Sequence, residues 1–219
     1  MSAFAPLPEL YVTEAAAEGL RNEAVRRLQW RLTPGQLRDL GLLMDGAMLP
    51  LRGYLSAADH AAVLAGGRLA SGALWPLALV LEVSDAFAHD LETGEDIALC
   101  GPDGAVLAMM SVTDRWGAGP VRLGGRVKGL APVPGRDGAL TPNALRARFR
   151  DAGAGRVVAE LGEGVVLRPD AGAALALPIA GAAAWQAIAA RNHGATHLAT
   201  GGDAALRALA VEVGLEPLG

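Results

Sequence analysis

Polar and apolar positions in the first sixty-odd residues repeat at helical spacing. Thr13 precedes the run EAAAEGLRNEAVRRL and reads as an N-cap, with Glu14 and Glu18 near the positive end of the helix dipole. Thr33-Pro34 opens a second helix with proline at its first position, Leu37, Leu40, Leu43 and Met44 fall on one face, and Gly46 is the expected stop. Ser56-Ala-Ala-Asp59 resembles a capping box and starts a short helix through Leu64. From Leu74 to Val127 the pattern changes. LWPLALVLEV, DIALC, AVLAMMSVT and VRLGGRV are short apolar runs separated by Gly, Asp and Pro, which predicts short strands in a small mixed barrel. Residues 130–141 read as a connector. Thr141-Pro142 then opens a helix over NALRARFRDAG that stops near Gly153. Beyond it the order is strand (VVAEL), irregular segment, helix (AAAWQAIAAR), strand (THLAT) and helix (DAALRALAVEVG), an α/β alternation. The expected domains are therefore residues 1–150 and residues 151–219.

Composition changes this picture little. Hydrophobic residues make up 52% and mean hydropathy is +0.29, but much of this is Ala, and no run approaches the ~20 apolar residues of a membrane span. The first twenty residues lack a basic segment and carry acids early, so the expected setting is the cytoplasm, away from a membrane. A net charge of -4 argues against nucleic-acid binding driven by bulk charge. The single cysteine, Cys100, ends an apolar run and reads as a buried, inert thiol. His193 and His197 are four apart, but Gly194 interrupts them and nothing completes a ligand set, so neither a metal nor a cofactor is expected. Trp75 and Trp185 read as packing residues.

Two places carry candidate chemistry. Gly201-Gly202-Asp203 follows a strand and opens a helix, whose free N–H groups can hold a phosphate or sulfate; the plainer reading is a glycine turn capped by Asp203. Arg115, Arg122, Arg126, Lys128, Arg136, Arg146, Arg148 and Arg150 make residues 115–150 basic against Asp114 and Asp137, which offers cations to an anion, or simply a solvated face.

Four segments resemble the ATP sulfurylase family. LRDLGLLMDGAMLPLRGYLSAADHAAVL (37–64) is similar to the family's helix followed by Gly-Ala-Phe-x-Pro-Leu-x-Gly-Phe. RLASGALWPLALVLEV (68–83) looks like its Arg-Leu-x-x-Gly-x-x-Trp-Pro segment, and RLGGRVKGL (122–130) its Leu-Gly-Gly turn. LPIAGAAAWQAIAARNHGATHLATGGD (177–203) resembles the Ala-Gly-Pro-Arg-Glu-Ala helix, the Thr-His strand and the Gly-Arg-Asp-His turn. The resemblance covers nearly the whole chain. It implies a PUA-like mixed β-barrel domain followed by a small α/β, Rossmann-like remnant of the nucleotidyltransferase domain.

The departures shape the functional expectation. In the family, Gln-x-Arg-Asn-Pro helps to hold sulfate and His-x-x-His holds ATP phosphates. Here the matching strand runs Val157-Val158-Ala159 into Glu160-Leu161-Gly162-Glu163, no His-x-x-His occurs, and the last turn reads Gly201-Gly202-Asp203-Ala204 without Arg or His. The resemblance thus implies a sulfurylase-like binding or accessory protein. The alternatives are a divergent nucleotidyltransferase with a rebuilt site and, disfavoured by charge, an RNA-binding PUA module. The expected ligand is a nucleotide or an oxyanion, at the helix start after Gly201 and Gly202, with Asp203 and His197 beside it and Arg122 or Arg126 as cations. A protein partner or a second copy is the other expected contact.

Overall fold

The computed structural model describes residues 4–134 and 140–219, so Arg136 and Asp137 of the basic stretch lie outside the described residues. By internal contact the chain divides into two compact units, one made of Glu9–Ala70 and Ala78–Ala139, the other of Met1–Pro8, Ser71–Leu77 and Leu140–Gly219.

The first unit holds helices α1 (Glu14–Ala24), α2 (Pro34–Met44), α3 (Ala57–Gly66) and α4 (Asp85–His89), and strands β1 (Gln29–Arg31), β2 (Gly53–Tyr54), β3 (Leu81–Val83), β4 (Asp96–Cys100), β5 (Val106–Trp116) and β6 (Val121–Gly129). Side chains at the caps begin the helices where the sequence places them. Thr13 accepts from Ala16 N, and Thr33 and Gln36 form a reciprocal capping box. The strands form one sheet in the order β1-β4-β5-β6-β2, with β3 also on β6; β1 runs parallel to β4 and the other pairs are antiparallel. Leu40, Leu43, Met44, Ile97, Leu99, Met110 and Leu123 fill its core.

Two expectations change here. The run VRLGGRV forms a strand as its pattern predicts, β6, so the Leu-Gly-Gly turn that the resemblance implies is absent: Gly124 and Gly125 lie inside the strand, where the chain is crowded from both sides. A Cβ on Gly124 would collide with the Leu55 carbonyl and one on Gly125, at φ 156°, with that of Ser111, so glycine is what lets these strands close on one another. The expected strand from Leu74 is formed only over Leu81–Val83, because Pro76 cannot donate to a ladder and Trp75 belongs to the second unit.

The second unit holds α5 (Pro142–Asp151), β7 (Val157–Leu161), β8 (Val165–Pro169), β9 (Leu175–Leu177), α6 (Ala183–Asn192), β10 (His197–Ala199), α7 (Ala204–Val213) and β11 (Glu216–Leu218). Its sheet runs β11-β10-β7-β8-β9; β7, β10 and β11 are parallel and joined through α6 and α7, while β7, β8 and β9 are antiparallel neighbours. The segment expected to be irregular is thus two strands, whose alternate residues Val165 and Leu167 are fully buried. Trp75 is fully buried and meets Trp185 edge-on at 5.8 Å. Arg146 on α5 is buried and donates to the carbonyls of Asn192 (2.8 Å), Arg191 (2.8 Å) and Ala5 (3.1 Å), which satisfies the otherwise open end of α6. Burial and the neighbouring Arg191 cation both press its pKa down. Among the described residues no helix is long and apolar enough to cross a membrane.

Candidate functional site

Parallel α/β sheets bind ligands beyond the carboxyl ends of their strands, so the loop after β10 is the first place to look in the second unit. Gly201 and Gly202 take left-handed φ values of 52° and 84° and turn the chain from β10 into α7. Asp203 then fills the helix start with its own carboxylate: Oδ1 accepts from Ala205 N at 2.7 Å and Leu206 N at 3.1 Å. Two of the N–H donors at this helix start are thus taken, and a negative charge stands there. His197 is at the opposite end of β10. Its Nδ1 lies 2.8 Å from Thr196 Oγ1 and its Nε2 3.0 Å from Glu216 Oε2, so the imidazole ties β10 to β11 rather than facing the glycine turn. His193 is buried with Nδ1 2.7 Å from the Ala189 carbonyl. Among the described residues no cluster of His, Cys, Asp and Glu could hold a metal ion.

The end of β7 is also closed. Glu160 pairs with Arg168 across β7 and β8 at 2.6 Å. The turn between those strands is pinned by Gln186 of α6, whose Nε2 donates to the carbonyls of Gly162 (2.7 Å) and Ile179 (3.0 Å). Gln186 and Arg168 were not singled out from the sequence. A glutamine amid the alanines of AAAWQAIAAR was the available signal, but its partners are set by the hairpin.

In the first unit the two arginines expected to supply cations part company. Arg122 is in an ion pair with Glu82 of β3, Nε to Oε1 3.2 Å. Arg126 instead lines a cavity of about 260 Å³ bounded by Pro50–Ser56, Asp59, Thr113 and Gly125. Tyr54 in this wall is buried, and among the described residues its hydroxyl has no hydrogen-bond partner. Burial, and secondarily the carboxylate of Asp39, push its pKa upward. Cys100 is buried too, and its thiol is raised by burial against a smaller opposing pull from Arg31, which fits an inert role.

Residues 2–123 match the family described as PUA-like domain. Over 160 residues the chain is 38% identical to the sulfate adenylyltransferase of Symbiobacterium thermophilum, across 60% of this chain and 41% of that protein. The chain belongs to the ATP sulfurylase family. The sulfate adenylyltransferase of Saccharomyces cerevisiae is 39% identical over 87 residues, 40% of this chain and 17% of that one. This ATP sulfurylase-family chain therefore spans less than half the length of these curated relatives. A solved structure, described as a hexameric APS kinase from Thiobacillus denitrificans, superposes with a TM-score of 0.78 and 26% identity, covering 97% of this chain and 55% of that one. The fold is thus a PUA-like domain together with a mixed α/β region, each with its own sheet.

Proposed function

We propose that this ATP sulfurylase-family chain is a binding or accessory protein linked to sulfate activation that does not itself transfer an adenylyl group. Joining sulfate to ATP requires two polyanions to be held in line, which takes cations and donors aimed at the developing charge. The observation that carries the proposal is the occupancy of the second unit's strand ends: the Asp203 carboxylate caps α7, and Glu160 stands at the end of β7 paired with Arg168. The β7-β10-β11 run with α6 and α7 is read here as the Rossmann-like remnant of a nucleotidyltransferase domain, residues 151–219, behind a PUA-like domain of residues 1–150. The β8-β9 hairpin stands in that remnant where a ligand-binding loop would leave β7. The same architecture occurs over 55% of a protein described as an APS kinase, named for a different reaction, which supports a role in which this fold assists rather than catalyses. That protein is described as hexameric, and a homo-oligomer is proposed here on that ground, to be checked by light scattering.

The deciding assay is pyrophosphate-dependent formation of ATP from adenylyl sulfate by the purified chain. The expected result is no turnover above a protein-free blank. Robust turnover that Arg126→Ala or Gly202→Asp abolishes would overturn the proposal and establish a rebuilt active site.

A further inference from the structure

The cavity in the PUA-like unit is left unused by everything above. Arg52 and Arg126 both line it, both are exposed, and among the described residues neither side chain has a hydrogen-bond or ion-pair partner. The two stand on adjoining stretches of chain, one register position apart: Gly53 lies opposite Arg126, and the Arg52 carbonyl accepts from Val127 N at 3.1 Å. The floor is backbone against backbone, since a Cβ on Gly53 would meet the Gly125 carbonyl and come within 2.7 Å of Arg126 Cα. The frame from which Arg126 projects is therefore closely held.

Two acids belong to this wall, Asp59 in the lining and Asp114 beside it, and both accept hydrogen bonds from neighbouring groups. Asp59 accepts from Ser56 Oγ (2.9 Å) and Ala70 N (2.9 Å), while Asp114, next to Thr113 of the lining, accepts from Ala57 N (3.1 Å) and Thr113 Oγ1 (2.7 Å). Neither bridges to a guanidinium, although a free carboxylate in reach would be expected to. The cavity also opens at the start of α3, a helix of ten residues whose dipole adds positive potential, partly offset by the same two acids.

We propose that this cavity binds one tetrahedral oxyanion group, phosphate or sulfate, between Arg52 and Arg126. Size narrows the ligand. At about 260 Å³ the space is below the ~300–1,000 Å³ usual for whole drug-sized ligands, yet holds several waters at roughly 30 Å³ each. A sulfate or phosphate with part of its hydration fits, and a nucleotide enters by its phosphate end only. Planar guanidiniums suit two oxygens of one such group. The proposal concerns the first unit alone and holds whether or not adenylyl transfer is lost.

The test is calorimetric titration of the full chain with inorganic phosphate, sulfate, AMP and adenosine, with chloride at matched ionic strength as reference. Saturable binding of phosphate, sulfate and AMP is expected, and none of adenosine. Arg52→Gln and Arg126→Gln should each weaken phosphate binding about tenfold or more, as loss of one charged hydrogen bond implies, while Arg122→Gln, outside the cavity, should bind as wild type. Circular dichroism and ligand-free melting report whether each variant folds. Should Arg126→Gln unfold, Arg126→Lys, which keeps the charge but not the fork, is expected to bind with intermediate affinity. Phosphate binding no tighter than chloride, equal binding by wild type and folded Arg52→Gln, or adenosine binding lost in that variant would each overturn the proposal.

Discussion

The starts of α3 and α7 make the same local structure, both with carboxylates beside them, and differ in the cations nearby. Each helix is capped by its own side chain, Ser56 for α3 and Asp203 for α7, and each cap accepts from backbone N–H groups one turn on. At α7 the cap is a carboxylate on an exposed turn. At α3 the cap is a hydroxyl with Asp59 and Asp114 beside it, and two guanidiniums without a partner among the described residues line the cavity there. A helix start supplies only partial charge, about half an elementary unit, so what surrounds the cap decides whether an anion has reason to bind. The glycine pair drew attention to the poorer of the two places.

The comparison requires that each unit keeps its own core, and the largest expected effect tests this for the second unit. Trp75 is fully buried against Trp185, so Trp75→Ala should cost about 3–5 kcal/mol in chemical denaturation. Trp75→Phe should cost less, because Nε1 has no hydrogen-bond partner to lose. A loss below about 1 kcal/mol for the alanine variant would show that Trp75 is no anchor.

Next in size is Arg146. It donates to three carbonyls from a buried position, and truncation leaves them without their cation. Arg146→Met should lower stability by about 3 kcal/mol, measured by urea unfolding. An unchanged midpoint would mean water replaces the guanidinium at no cost, and the second unit's helix ends would then need no internal cap.

These two residues also mark the limit of what the sequence discloses. Thr13, Thr33, Ser56 and Thr141 all cap helices as their local patterns imply, because a cap bonds to atoms two or three residues away. Trp75 reads as a packing residue, but its partner, 110 positions on, and its departure from the strands that follow it do not. The β8-β9 hairpin was missed because each strand is short and its pairing is set by β7. The parallel β1-β4 pair joins residues nearly seventy positions apart and is equally silent in the sequence. The cavity is the extreme case: it exists only where residues 50–59, 113 and 125–126 converge, so Arg126 is visible as a cation but Arg52 as its companion is not.

Alkaline pH isolates the cavity wall. An unfolded tyrosine ionises near pH 10, whereas Tyr54 is held neutral by burial, with a folded pKa raised further by Asp39. A raised folded pKa contributes stability that is present below the unfolded value and is lost as pH climbs through the window above it. Above about pH 10 the wild type should therefore lose up to ~1.4 kcal/mol per pH unit that Tyr54→Phe does not. At neutral pH the two should differ little, since the hydroxyl has no partner. Parallel curves in guanidinium unfolding from pH 8 upward would show that Tyr54 reaches water.

The smallest expected effect discriminates most sharply between the two helix starts. Asparagine caps a helix about as well as aspartate, so Asp203→Asn should leave stability within about 0.5 kcal/mol, whereas Asp203→Ala should cost about 1 kcal/mol. The asparagine variant removes the negative charge at α7 and keeps the cap. If that charge were all that kept an anion from this turn, phosphate should bind the variant at a second place, and binding should survive Arg126→Gln. The side-chain oxygen would still occupy the N–H groups of Ala205 and Leu206, and no free cation accompanies them in the described structure of the turn. The expected outcome is one phosphate per chain in Asp203→Asn as in wild type, with the same loss when Arg126→Gln is added. A second phosphate that persists in the double variant would restore the glycine turn as an anion site, and would make the α7 carboxylate, not the absence of cations, the feature that separates the two helix starts.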